Sequence, residues 1–141
     1  MILTKVLSAE VHFQEQAFVK PLQLSSGLIT VITEARAEVK LLANGIRATG
    51  RASIYLSDLW AWPDPSLTHE AKDRILRKYC EAIAARLGEL VGREAAHPLE
   101  LGLRLHHSIE ENVSVEPQVI PLLAKAMAAS AFDAAIHDGT G

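Results

Sequence analysis

The chain has 141 residues, 49% of them hydrophobic and 22% charged, the balance of a globular domain long enough to bury a core. Its net charge of −3, without a basic cluster, argues against nucleic acid, and no apolar run approaches the roughly 20 residues of a membrane span. A single cysteine, Cys80, excludes an internal disulfide framework; with no secretory signal at Met1-Ile2-Leu3-Thr4-Lys5, it points to the cytoplasm.

Residues 2–13 are rich in β-formers. Val11 and Phe13 flank His12, which puts the two apolar side chains on one face of a strand. Residues 14–27 lack a continuous apolar pattern. They contain Lys20-Pro21 and Ser25-Ser26-Gly27, so most of this stretch is expected to be a loop. Residues 28–42 are β-rich again. Ala35, Ala37, Val39 and Leu41 alternate with Arg36, Glu38 and Lys40, the pattern of a half-buried antiparallel strand. Asn44-Gly45 then predicts a type I′ hairpin turn, in which both central residues need positive φ. Residues 46–55 return as the partner strand.

Residues 56–65, with Trp60, Trp62, Pro63 and Pro65, close the β part. From Thr68 the period changes. Ala71, Ile75, Tyr79, Ile83 and Leu87 recur every four residues, with Leu76, Cys80 and Leu90 beside them. Thr68 is the expected N-cap, Glu70 lies in the first turn, and Gly88 or Gly92 ends the helix. Pro98 opens a second helix over about residues 99–109. Pro117 is expected to open a third, alanine-rich helix that runs to Asp138, with Gly139 as its C′ stop. The fold class is therefore α+β: a three-stranded antiparallel meander (residues 1–65, with its loops) followed by a bundle of about three helices (66–141).

Few residues carry obvious chemistry. Trp60 and Trp62 sit in a proline-containing segment after a strand, where they either wall a pocket or pack the sheet onto the helices. His106, His107 and Glu110 give a His-x-x-Glu spacing, but two ligands make no firm metal site, and a solvated helix face explains them better. Asp133 and Asp138, five residues apart on one helix, point in different directions; a buried hydrogen bond and a helix-end contact suit them. Cys80 falls on the apolar side of its helix as a small core residue. There is no phosphate-binding glycine loop and no Ser-His-Asp signature.

The last helix ends in Ala131-Phe132-Asp133-Ala134-Ala135-Ile136-His137-Asp138-Gly139-Thr140-Gly141. This motif, the turn Leu42-Ala43-Asn44-Gly45-Ile46-Arg47-Ala48-Thr49-Gly50 and the stretch Lys20-Pro21-Leu22-Gln23-Leu24-Ser25-Ser26-Gly27 occur in the order of a known domain. The chain resembles, over essentially its whole length, the N-terminal capping domain of the enolase superfamily, in its mandelate racemase and muconate lactonizing enzyme branch. Two positions depart from the family pattern: Arg51, where a Glu often follows the glycine of the third strand, and His137, where an aromatic precedes the last Asp.

The resemblance implies a partner domain, a modified (β/α)₈ barrel that follows in the family and is expected to be absent here. That barrel holds the Mg²⁺ ligands and the bases that remove a proton next to a carboxylate. The complete enzyme would be a racemase, cycloisomerase or acid-sugar dehydratase of a family that tends to oligomerise. No catalytic residue and no metal ligand of the family maps onto these 141 residues, which alone should be inactive. The capping domain supplies two loops over the substrate, a small carboxylic acid. Residues 14–27 would be the first, with Leu22, Ser25, Ser26 and Leu28 as contacts; residues 56–65 would be the second, with Trp60 and Trp62. The alternative from another class is a free-standing α+β module that binds a partner protein.

Overall fold

The computed structural model describes residues 2–24, 27–56, 61–64, 66–113 and 120–141, with the backbone alone at 18–24, 27–30 and 110–112. Three strands, β1 (Thr4–Leu24), β2 (Gly27–Ala43) and β3 (Ile46–Tyr55), form an antiparallel sheet in the order β1-β2-β3. Three helices follow: α1 (His69–Val91), α2 (Pro98–Asn112) and α3 (Leu122–Thr140). The expected α+β class and the meander are as observed.

Alternation decides which face of the sheet is covered. Ala35, Ala37, Val39 and Leu41 are all buried, whereas Arg36, Lys40 and Arg51 face solvent. α1 packs beneath β1, α3 beneath β3 and β2, and α2 lies against both helices. Between the layers sit Leu76, Tyr79, Ile83 and Leu87 of α1, Leu101 and Leu105 of α2, and Phe132, Ala135 and Ile136 of α3. The Tyr79 hydroxyl donates to the Ile109 carbonyl at 3.3 Å, so this buried phenol is satisfied.

The turn at Asn44-Gly45 has φ of 50° and 80°, as a type I′ hairpin requires. Asn44 also ties down the start of the chain: its Oδ1 accepts from the Leu3 N–H and its own N–H donates to the Leu3 carbonyl, both at 2.8 Å. Thr68 caps α1 by accepting from the Ala71 N–H at 3.1 Å, and of the two candidate glycines Gly92 ends that helix, with φ of 91°. Pro98 does open α2, with His97 as its cap.

Three local expectations are corrected. Residues 14–24, expected to be mostly loop, are strand. β1 continues to Leu24 and β2 begins at Gly27, paired as Leu24↔Gly27. The register breaks between Ala17↔Val31 and Leu22↔Ile29, so β1 carries extra residues around Lys20-Pro21. An edge strand absorbs a proline in such a bulge, because no neighbour needs its missing N–H. The alanine-rich helix begins at Leu122, with Pro121 at its N-cap and Ile120 outside it; the residue before a proline is pushed out of the helical region. Pro117 lies outside the described residues. Gly139 is not a stop either. α3 runs through it to Thr140, and the Gly141 N–H closes the end on the His137 carbonyl at 3.0 Å.

Gly139 instead meets Gly50. A Cβ on Gly139 would lie 2.9 Å from the Gly50 nitrogen, and one on Gly50 would lie 2.6 Å from the Gly139 nitrogen and collide with the Ala135 carbonyl oxygen. The two glycines form a notch in which α3 and β3 touch backbone to backbone. Next to it, the Arg51 N–H donates to Asp138 Oδ2 at 2.8 Å. This is the helix-end contact expected of Asp138, and it satisfies an amide on the edge strand.

Candidate functional site

β3 ends at Tyr55, opposite Glu34. Beyond that row β1 and β2 continue as a two-stranded ribbon out to Leu24 and Gly27. An isolated hairpin is marginal in water, so the base of the ribbon has to be held by other elements. Two elements do this. Directly after β3, the Leu56 N–H donates to the Thr33 carbonyl at 2.8 Å. The N-terminal turns of α1 present His69, Asp73 and Arg77 at i, i+4, i+8 spacing, which is one stripe of a helix.

His69 Nε2 lies 3.1 Å from the Val31 carbonyl oxygen. Arg77 Nη2 donates to Thr33 Oγ1 at 2.7 Å and lies 3.4 Å from Glu15 Oε1, while Nε donates to Asp73 Oδ2 at 2.9 Å. The guanidinium carbon sits 5.4 Å from the centre of the Phe13 ring, a cation–π distance. Thr33 is 3% exposed, and Asp73 Oδ1 is buried with no hydrogen-bond partner.

In the connection from β3 to α1, Ala61 and Trp62 are buried in the core, Trp62 at 3% exposure. Asp64 accepts from the Ser66 N–H at 2.9 Å and from its hydroxyl at 2.7 Å. Those bonds hold the Asp64 carboxyl below the usual aspartate range. They fold a local turn just ahead of the Thr68 cap.

The expected substrate contacts therefore divide. The backbones of Leu22 and Leu28 lie at the outer end of the ribbon, near each other across the Leu22↔Ile29 and Gln23↔Leu28 pairs. Trp62 belongs to the core beneath the connection, the packing role weighed for it from the sequence. Ser25, Ser26 and Trp60 lie outside the described residues. Arg77, Asp73, Thr33 and Glu15 were not singled out in the sequence. The polar stripe His69-Asp73-Arg77 beside the apolar stripe was the available signal, but its partners lie far away in the chain.

Two other clusters are visible. Asp133 of α3 faces α2, where Gly102 leaves room for its carboxylate. His106 Nε2 lies 3.4 Å from Asp133 Oδ2 and His137 Nε2 lies 3.5 Å from Oδ1. On the open face of the sheet, a hollow of about 320 Å³ is lined by His12, Arg36, Glu38, Arg51 and Ser53. Its arginines are already paired, Arg36 with Glu34 and Arg51 with Glu38. Among the described residues no group of three His, Cys, Asp or Glu side chains is arranged to hold a metal ion, so these residues do not fit a Mg²⁺ site. Nor is any described helix long and apolar enough to cross a membrane.

No family model and no curated protein matches this sequence. Among solved structures, the chain is similar to an enolase from Bradyrhizobium crystallised with magnesium and mandelic acid, at 16% identity and a TM-score of 0.56. The match covers 97% of this chain and 31% of that one, so the chain spans about a third of the length of the protein it resembles. At that identity the likeness establishes the fold: the three-stranded sheet with its three helices is a domain architecture found within an enolase.

Proposed function

We propose that this chain is the substrate-capping domain of a Mg²⁺-dependent enzyme of the enolase superfamily, in its mandelate racemase and muconate lactonizing branch. The observation that carries the reading is the coverage of the fold match. Nearly the whole chain aligns with a third of an enolase whose crystals contained magnesium and mandelic acid. In this reading the partner is a barrel domain, which supplies the metal and the bases. The substrate is a small carboxylic acid that loses its α-proton, in racemisation, cycloisomerisation or dehydration. Magnesium would stabilise the enediolate. Leu22 and Leu28 near the ribbon end, together with Ser25, Ser26 and Trp60, are the proposed substrate-facing residues, with Trp62 packing the base of the cap from the core; closing such a cap excludes water from the site.

The test has two arms. The 141-residue chain, incubated in D₂O with Mg²⁺ and a panel of α-hydroxy and sugar acids, should show no α-proton exchange by NMR above the no-protein control. The reading frame beyond Gly141 should encode alternating strands and helices with acidic residues at successive strand ends, and that longer protein should exchange the α-proton of at least one acid. Exchange by the short chain, or a longer frame without that pattern, would overturn the reading.

A further inference from the structure

The ribbon is held at one row. Glu15 and Thr33 are register partners on β1 and β2, and a single nitrogen, Arg77 Nη2, approaches both. The next row inward on the same face is Phe13↔Ala35, and the Arg77 guanidinium lies against the Phe13 ring. The other described ties fall within two residues of it: Leu56 N–H on the Thr33 carbonyl and His69 on the Val31 carbonyl. This is also where the sheet changes from three strands to two, since Glu34↔Tyr55 is the last pair of β3. Asp73 holds the guanidinium from the helix side.

We propose that Arg77 is the positioning residue of the ribbon: by bridging the Glu15–Thr33 row to α1 it sets the direction in which residues 16–24 and 27–32 project. The inference builds on the capping reading, since the outer end of that ribbon carries Leu22 and Leu28. An arginine suits the task where a lysine does not. Its planar fork bonds Asp73 through Nε and the two strands through Nη2 while its face rests on Phe13; an ammonium offers neither the separation nor the flat face. The register break between Ala17 and Leu22 lies just outside this row. The ribbon beyond Arg77 is thus a bulged two-stranded lever with its fulcrum on α1.

The test is amide hydrogen exchange on the 141-residue chain. In Arg77→Met, which keeps the stem and removes the fork, exchange across residues 16–24 and 27–32 should accelerate by about tenfold or more, the scale of losing charge-assisted hydrogen bonds. Exchange at 35–42 and in α3 should stay at the wild-type rate. Arg77→Lys should fall between the two, and Arg104→Met, which removes an arginine from α2, should leave the ribbon unchanged. If Arg77→Met does not fold, Thr33→Val replaces it; loss of the hydroxyl acceptor should accelerate the same segments to a smaller degree. Acceleration spread evenly over sheet and helices, or none in the ribbon for the variant that folds, would overturn the proposal. This readout is independent of what the ribbon covers. Localised acceleration with no α-proton exchange by the longer protein would leave Arg77 in its role and remove the capping function.

Discussion

At the scale of single residues, two glycines illustrate different demands. Gly45 is required by its φ of 80°, and a Cβ there would meet nothing within 4 Å. Gly50 is required by its neighbours, because the atoms a Cβ would strike belong to the backbone of α3 and cannot rotate away. Gly45→Ala should therefore cost about 1–2 kcal/mol, the strain of a left-handed alanine. Gly50→Ala should cost at least about 3 kcal/mol, because helix and strand must separate. Urea unfolding of both variants checks the order; equal midpoints would remove the notch as a determinant of packing. Gly139 answers to the same demand. Near a helix end a glycine suggests a stop, and only its meeting with Gly50, far away in the chain, reveals the close approach.

At the scale of elements, local patterns carry most of the secondary structure. β2 and β3 announce themselves by alternation and by Asn44-Gly45, and α1 by its four-residue period and Thr68. Replacing that cap should lower stability by about 1 kcal/mol in Thr68→Ala, with Thr68→Ser close to wild type; thermal unfolding of the pair checks it, and an alanine variant as stable as the serine one would deny the cap its role. The outer half of β1 was illegible for a physical reason. A bulge around Lys20-Pro21 interrupts the alternation, so strand reads as loop although pairing resumes at Leu22↔Ile29. The start of α3 was displaced because two prolines compete and only Pro121 sits at its N-cap. The Arg77 seam was hidden for another reason: a polar stripe on α1 gives no hint of which strands it will meet.

At the scale of the whole molecule, the core sets an upper limit on pH. Burial pushes the Cys80 thiol up to about 12 and raises the neighbouring Tyr79 phenol as well. Each group is neutral in the folded chain over a range where the unfolded chain has already lost the proton. Their contribution is fully present below the unfolded thiol value and is lost as pH rises through the folded one. Stability should thus begin to fall near pH 9, by up to about 1.4 kcal/mol per pH unit from the thiol. Urea midpoints at pH 8 and 10.5 check this, and Cys80→Ala should flatten the slope; an unchanged slope would assign the alkaline loss elsewhere. The same fold brings the two ends of the chain together. Thr4 pairs with Ala96 through both backbone groups, at 2.7 and 2.9 Å, and its hydroxyl lies 3.1 Å from that of Thr140. The Thr140 hydroxyl gives its proton to the Ile136 carbonyl at 2.6 Å, so Thr4 donates to Thr140. A polypeptide whose first strand and last helix meet in a hydrogen bond can be relinked and reopened elsewhere. Circular permutation, with a short glycine linker from Gly141 to Met1 and new termini between the exposed Glu94 and Ala95, should preserve the far-ultraviolet circular dichroism spectrum and a cooperative melt, because the connection adds little closure entropy.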